Sequence, residues 1–276
     1  MASPLASSGQ VESDTHSPLL IYCHGGGWYS GSTSDHEDLA KYISTHSNVA
    51  VALLEYRITL KDEEKNEIRH PDHINDIHRG LELLFDPATS ANYKYDTSRV
   101  VFAGHSVGGW AVLSAALASD KGQGKLENPI HDMPQLDASI RKSICTFIAV
   151  ESIFSVTGLV KHYPSYSSFI FPAFFSSKLQ ASTPYTLLEK VGIESWPIAD
   201  SGSYSTGDKP KIYVIHSSED TLLDTEYNAQ GVDLLQKKGL SPIVDLTSFK
   251  GDHDDLQHTQ AFWDRLIEIV NVDTAA

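Results

Sequence analysis

Ser106, Asp220 and His253 are the residues of this chain whose types and order could do chemistry together. Ser106 sits in Gly104-His105-Ser106-Val107-Gly108, directly after the apolar run Val100-Val101-Phe102-Ala103. A Gly-x-Ser-x-Gly between a strand and a helix is a tight turn that holds the serine hydroxyl out at the strand's end. Its glycines let helix and strand approach without a Cβ clash. A serine hydroxyl is a poor nucleophile near neutral pH, so it needs a base and a carboxylate to orient that base. Behind such a turn the acid follows first and the histidine last. Asp220 lies in Ile215-His216-Ser217-Ser218-Glu219-Asp220, just beyond a predicted strand, with Glu219 and Asp224 as rivals. His253 lies in Phe249-Lys250-Gly251-Asp252-His253, between the last predicted strand and the last helix. His258 is its rival, expected inside that helix.

A second glycine turn, His24-Gly25-Gly26-Gly27-Trp28, follows the apolar run Leu19-Leu20-Ile21-Tyr22-Cys23. Backbone without side chains can aim N–H groups at an oxygen that gains negative charge during acyl transfer. The expected donors are the N–H groups of Gly26, Gly27 and Val107. The chemistry is then acyl transfer through an acyl-serine, followed by attack of water, with no cofactor. A lone Gly-x-Ser-x-Gly arises by chance in about one chain in ten of this length, so the weight rests on its context. Among the other histidines, His105 is expected to point away from the serine, His24 to order the glycine turn, and His216 to be structural. His70, His73 and His78 with Asp72 and Asp76 lack the spacing of one ligating helix face, and no metal is expected.

These residues need a scaffold that brings several strand ends together. Apolar runs predict strands at 19–24, 48–56, 99–104, 143–150, 211–216 and 243–249. Helical spacing predicts helices at 34–46, 71–85, 107–119, 225–238 and 256–271. Alternating strands and helices argue an α/β fold with a mostly parallel sheet covered on both faces. In such a sheet the site lies at the carboxyl ends of the strands. Residues 153–210 break the alternation with five prolines and many aromatics, and are expected to form a cap-like insertion over that edge.

The chain has 276 residues, 41% of them hydrophobic, enough for a single domain over 1–276 with a large core. A net charge of -15 argues against nucleic acid and anionic membranes as partners. The expected partner is a small-molecule substrate with an aromatic ring, and a homodimer is left open. Two cysteines, Cys23 and Cys145, fall in predicted strands and suit a reducing, cytoplasmic compartment. Residues 1–17 are polar and Ser-rich, without an apolar run, and are expected to be a loose tail.

The motifs resemble the α/β-hydrolase superfamily and, within it, the kynurenine formamidases (arylformamidases) of fungal type. The resemblance runs from about Leu19 to Ile269. It is carried by His24-Gly25-Gly26-Gly27-Trp28, Glu55-Tyr56-Arg57, the Ser106 turn, Tyr163-Pro164-Ser165-Tyr166, His216-Ser217-Ser218-Glu219-Asp220 and His253. It implies hydrolysis of N-formylkynurenine to kynurenine and formate, in tryptophan breakdown towards NAD. Ser106, Asp220 and His253 fall where that family keeps its triad. An anthranilic ring needs apolar walls, for which Trp28, Tyr163 and Tyr166 are candidates. Glu151 and Ser152 are candidates for the substrate's ammonium, and the chain departs there from the Asp-Gly pair that the resemblance leads one to expect. Two other readings stay open. One is a carboxylesterase of the hormone-sensitive-lipase type, which shares the His-Gly-Gly-Gly turn. The other is a receptor on the same fold that binds a small molecule without turnover.

Overall fold

The computed structural model describes residues 16–60, 67–117, 136–175 and 211–275. Six strands form one sheet: β1 (Ser17–Cys23), β2 (Ala50–Leu54), β3 (Tyr95–His105), β4 (Ile144–Val150), β5 (Lys211–Ser217) and β6 (Ile243–Phe249). Their order is β2-β1-β3-β4-β5-β6, and all five neighbouring pairs are parallel. Successive side chains of a strand point to opposite faces, so a sheet covered on both sides needs apolar residues at both parities. The register shows this directly. Ile21, Phe102, Phe147 and Ile212 form one rung, and all four face the first core. The next rung, Tyr22, Ala103, Ile148 and Tyr213, faces the second.

Helices cover both faces. On the first lie α2 (Asp72–Leu84), through Ile74, Ile77 and Leu81, and α4 (Val107–Leu117), which is buried at every position. On the second lies α1 (Glu37–His46), through Leu39 and Ile43. Two short helices, α3 (Pro87–Tyr93) and α5 (Ala138–Ser143), lead into β3 and β4; the side chains of Asp86 and Asp137 cap them by accepting main-chain N–H bonds. Past β4 come α6 (Val156–His162), a 3-10 turn (Pro164–Tyr166) and α7 (Ser167–Phe174). These belong to the expected cap; residues 176–210 of that segment lie outside the described residues, as do 1–15 of the expected tail. After β5 comes α8 (Thr225–Lys237), packed on the first face through Tyr227, Val232 and Leu235.

The last predicted helix divides in two. Leu256–His258 is a short 3-10 turn, and α9 runs Gln260–Asp273. Thr259 between them is extended (φ -96°, ψ 141°), and its side chain accepts the N–H of Phe262 as an N-cap. A helix cannot run through an extended residue, so His258 lies outside α9. Its ring stacks on His36 at 5.7 Å. Helix α9 covers the second face with Phe262, Leu266, Ile269 and Val270. None of the described helices is long and apolar enough to cross a membrane.

Candidate active site

The chain leaves β1 for the edge strand β2 and then returns to the other side of β1 as β3. This reversal places the carboxyl ends of β1 and β3 side by side, where ligands bind in open α/β sheets. Both glycine turns sit there. Ser106 has φ +53°, a left-handed conformation that costs a non-glycine residue roughly 1–3 kcal/mol and clusters at functional sites. Its N–H donates to Val150 O at 2.8 Å. A Cβ on Gly108 would stand 2.2 Å from Cys23 O, so only glycine lets α4 start this close to β1.

The turn after β1 lies against the serine, since a Cβ on Gly25 would stand 3.1 Å from the Cβ of Ser106. Gly26 and Gly27 take φ +103° and +60°. The turn is anchored through its carbonyls. Tyr56 Oη donates to Gly25 O at 2.7 Å, and the N–H groups of Tyr29 and Ser30 donate to Gly26 O. His24 Nδ1 donates to Gly25 O at 2.8 Å, while its Nε2 lies 2.8 Å from Glu55 Oε1. Among the described residues, no acceptor is seen for the N–H groups of Gly26, Gly27 or Val107.

In the loops after β5 and β6, His253 Nδ1 lies 2.7 Å from Asp220 Oδ2, and both residues are buried. Asp220 Oδ1 accepts the N–H groups of Leu222 and Leu223, each at 2.8 Å. Asp252 ties the two loops together by accepting from the N–H groups of Thr221 and His253. The rivals are engaged elsewhere. Glu219 accepts from Gly251 N, and Asp224 caps α8 and lies 2.9 Å from His162 Nε2. The rings of His105 and His253 are 4.6 Å apart, and His105 Nε2 donates to His253 O at 2.9 Å. The neighbour of Ser106 in the chain therefore touches both ring and main chain of His253.

Three expected substrate contacts are interior instead. Trp28 has φ +67°, which turns its ring into the core against Trp110 and Phe174. Burying so large an apolar surface outweighs leaving it as a pocket wall. Ser152 is fully buried and donates to Ile153 O. Glu151 is also fully buried, its Oε2 3.0 Å from His105 Nε2 and its Oε1 accepting from Ser217 N. Burial and the nearby Asp220 charge push its pKa up to about 9, so it offers no charge to an ammonium. Burial drives His216 the other way, down to about 4.

Tyr163 and Tyr166 remain partly exposed, stacked at 4.9 Å. Tyr166 Oη donates to Leu222 O, two residues beyond Asp220. Phe169 lies 5.2 Å from Tyr166 and 5.5 Å from Tyr29. Tyr29, Phe169, Tyr166 and Tyr163 thus make an aromatic wall from the glycine turn to the acid loop. Sequence reasoning placed Phe169 among the cap aromatics and missed Tyr29, whose one signal was adjacency to the motif residue Trp28.

The BD-FAE family profile matches residues 9–237. This chain belongs to the BD-FAE family. As a BD-FAE member it is similar to the kynurenine formamidase of Scheffersomyces stipitis, 26% identical over 93% of this chain and 91% of that one. It is also similar to the kynurenine formamidase of Meyerozyma guilliermondii, 26% identical over 86% and 78%. The resemblance to fungal kynurenine formamidases read from the motifs thus extends to whole-chain similarity. Among solved structures, an acetyl ester-xyloside bifunctional hydrolase from Caldicellulosiruptor lactoaceticus superposes with a TM-score of 0.63 at 15% identity, covering 96% of this chain and 87% of that one. The fold is that of the α/β-hydrolases, and the chain is an enzyme of the hydrolase class.

Proposed function

We propose that this BD-FAE member cleaves N-formyl-L-kynurenine to L-kynurenine and formate, with Ser106 as nucleophile, His253 as base and Asp220 as its orienting carboxylate. The observation that carries the reading is the 2.7 Å contact of Asp220 with His253, at the sheet edge that holds the left-handed Ser106. Asp220 accepts from Nδ1–H and so leaves the Nε2 lone pair to take the serine proton. Ser106 Oγ attacks the formyl carbon, and the carbonyl electron pair moves onto oxygen. The N–H groups of Gly26, Gly27 and Val107 are the donors to that oxyanion. Collapse breaks the C–N bond, and His253 returns its proton to the departing aniline nitrogen of kynurenine. Water, deprotonated by the same imidazole, then attacks the formyl-serine and releases formate.

The choice of an aromatic formamide is supported by the wall of Tyr29, Phe169, Tyr166 and Tyr163, and by relatives named as kynurenine formamidases over nearly the whole chain. The test is formate release from N-formylkynurenine beside a panel of short p-nitrophenyl esters. Formate production with kcat/KM above that of every ester is expected. Ester turnover without formate overturns the substrate and leaves a carboxylesterase.

A further inference from the structure

Glu151 stands at a place where an ordinary solvent-facing carboxylate would be out of keeping with its surroundings. It is fully buried at the carboxyl end of β4, with φ +45°, a second strained residue beside Ser106. A carboxyl oxygen of Glu151, one of Asp220 and a ring nitrogen of His216 all lie within 4.8 Å of one another. The titratable groups that act on it are His105 from the serine turn, Asp220 from the loop after β5, Asp252 and Asp254 from the loop of His253, and Tyr22 from β1. His216 adds a neutral ring. None is a lysine or arginine. Two buried carboxyls so close without a cation cannot both ionise cheaply. Asp220 accepts three hydrogen bonds, from His253, Leu222 and Leu223, and Glu151 is the one left to carry a proton.

We propose that Glu151 and His105 form a positioning pair that clamps the main chain of His253, with Glu151 working as an uncharged acid. The His253 carbonyl can only accept, so His105 Nε2 supplies the hydrogen, at 2.9 Å. The same N–H is shared with Glu151 Oε2 at 3.0 Å, which accepts it and fixes the plane of the His105 ring. Glu151 Oε1 accepts Ser217 N–H, and Glu151 N–H donates to Ile215 O, so the pair is anchored to β5. Burial holds His105 well below the usual histidine range, which keeps the pair uncharged. The clamp ties the loop of His253 to the serine turn without placing a second negative charge beside Asp220. A charge there would tighten the proton on His253 and slow its release.

This inference rests on His253 being the base, and its test separates the two. Infrared difference spectra of the wild type and Glu151→Gln need no turnover: a protonated-carboxyl stretch present at pH 7 in the wild type and absent in the variant is expected. Turnover of p-nitrophenyl acetate supplies the second readout, independent of the formamide substrate. Glu151→Gln is expected to lower kcat several-fold with the acid limb of the pH profile in place. Removing a true carboxylate there would drop that limb by about one to two pH units. Glu151→Ala is expected to cost about 30-fold in kcat with KM unchanged, as loss of orientation does. If Glu151→Ala fails to fold, the Gln variant and the spectra carry the test. A missing protonated band, an acid limb that drops by a unit or more, or an effect confined to KM overturns the proposal.

Discussion

Asp220 Oδ2 and His253 Nδ1 lie 2.7 Å apart with both side chains sealed from solvent, although 33 positions separate them in the chain. The remaining oxygen of Asp220 is filled by two main-chain N–H groups, so the carboxylate cannot rotate away. Asp220→Asn would keep the shape and set an amide N–H against Nδ1, favouring the wrong tautomer. A fall in kcat of about 10³–10⁴-fold is expected, with little change in thermal stability. Initial rates and a melting curve on the same preparation check it.

Ser106→Ala is expected to lower turnover by about 10⁴-fold or more while substrate still binds. Calorimetric titration with N-formylkynurenine measures the binding, and formate release measures the rate. Turnover equal to the wild type would remove Ser106 from the mechanism.

Gly108→Ala tests the backbone of the elbow. The added methyl carbon would meet Cys23 O at 2.2 Å and His24 O at 2.7 Å, and neither backbone can yield without moving β1. Overpacking at a rigid site costs about 1–3 kcal/mol or more. The variant is expected to unfold at lower urea concentration and to lose activity through the displaced glycine turn. An unchanged urea midpoint would contradict the close approach.

The aromatic wall predicts a split at Tyr166. Tyr166→Phe removes only the bond to Leu222 O, a cost of about 1 kcal/mol. Tyr166→Ala removes the ring between Tyr163 and Phe169. The alanine variant is expected to raise KM for aromatic formamides about tenfold, and to change KM for a short alkyl ester little. Equal changes for both substrates would place the ring elsewhere.

Stability should peak near pH 6.5. Burial lowers His36, His73, His78 and His216 each to about 4. Unfolded, they would titrate near ~6.5. Between those values the unfolded chain binds more protons, so stability falls as pH drops from about 6.5 towards 4. Glu151 acts in the opposite sense. Its folded pKa of about 9 exceeds the unfolded value of ~4.3, so its contribution is full at low pH and is lost as pH rises towards 9. Urea midpoints across pH 5–9 measure both limbs. Because Glu151 acts from about pH 4.3 to 9, Glu151→Gln is expected to flatten the alkaline limb and steepen the acid limb, each by up to about 1.4 kcal/mol per pH unit.

Much of this molecule was legible along the chain because its signals are local. Each of the six strands contains an apolar run, and each lies within a few residues of its predicted place. The early start of β3 at Tyr95 was not legible, because Tyr95-Asp96-Thr97-Ser98 is polar and carries no strand period. The split at Thr259 escaped because a threonine inside an apolar period reads equally as helix interior and as N-cap. The glycine turns announced themselves because glycine suits the positive φ of Gly26 and Gly27 and alone fits the close contacts at Gly104 and Gly108.

The sequence by itself determined the sheet, the two glycine turns and the order of serine, acid and histidine, since these follow from periodicity and backbone sterics between neighbours. Only the tertiary structure decided which side chains face inward. Trp28 and Glu151 follow strand ends just as Ser106 does, yet their rings and carboxyl groups are turned into the interior. The reason is that burial and charge state depend on groups brought together from distant parts of the chain. The state of Glu151 is set by its burial and by Asp220, which no local pattern connects to it.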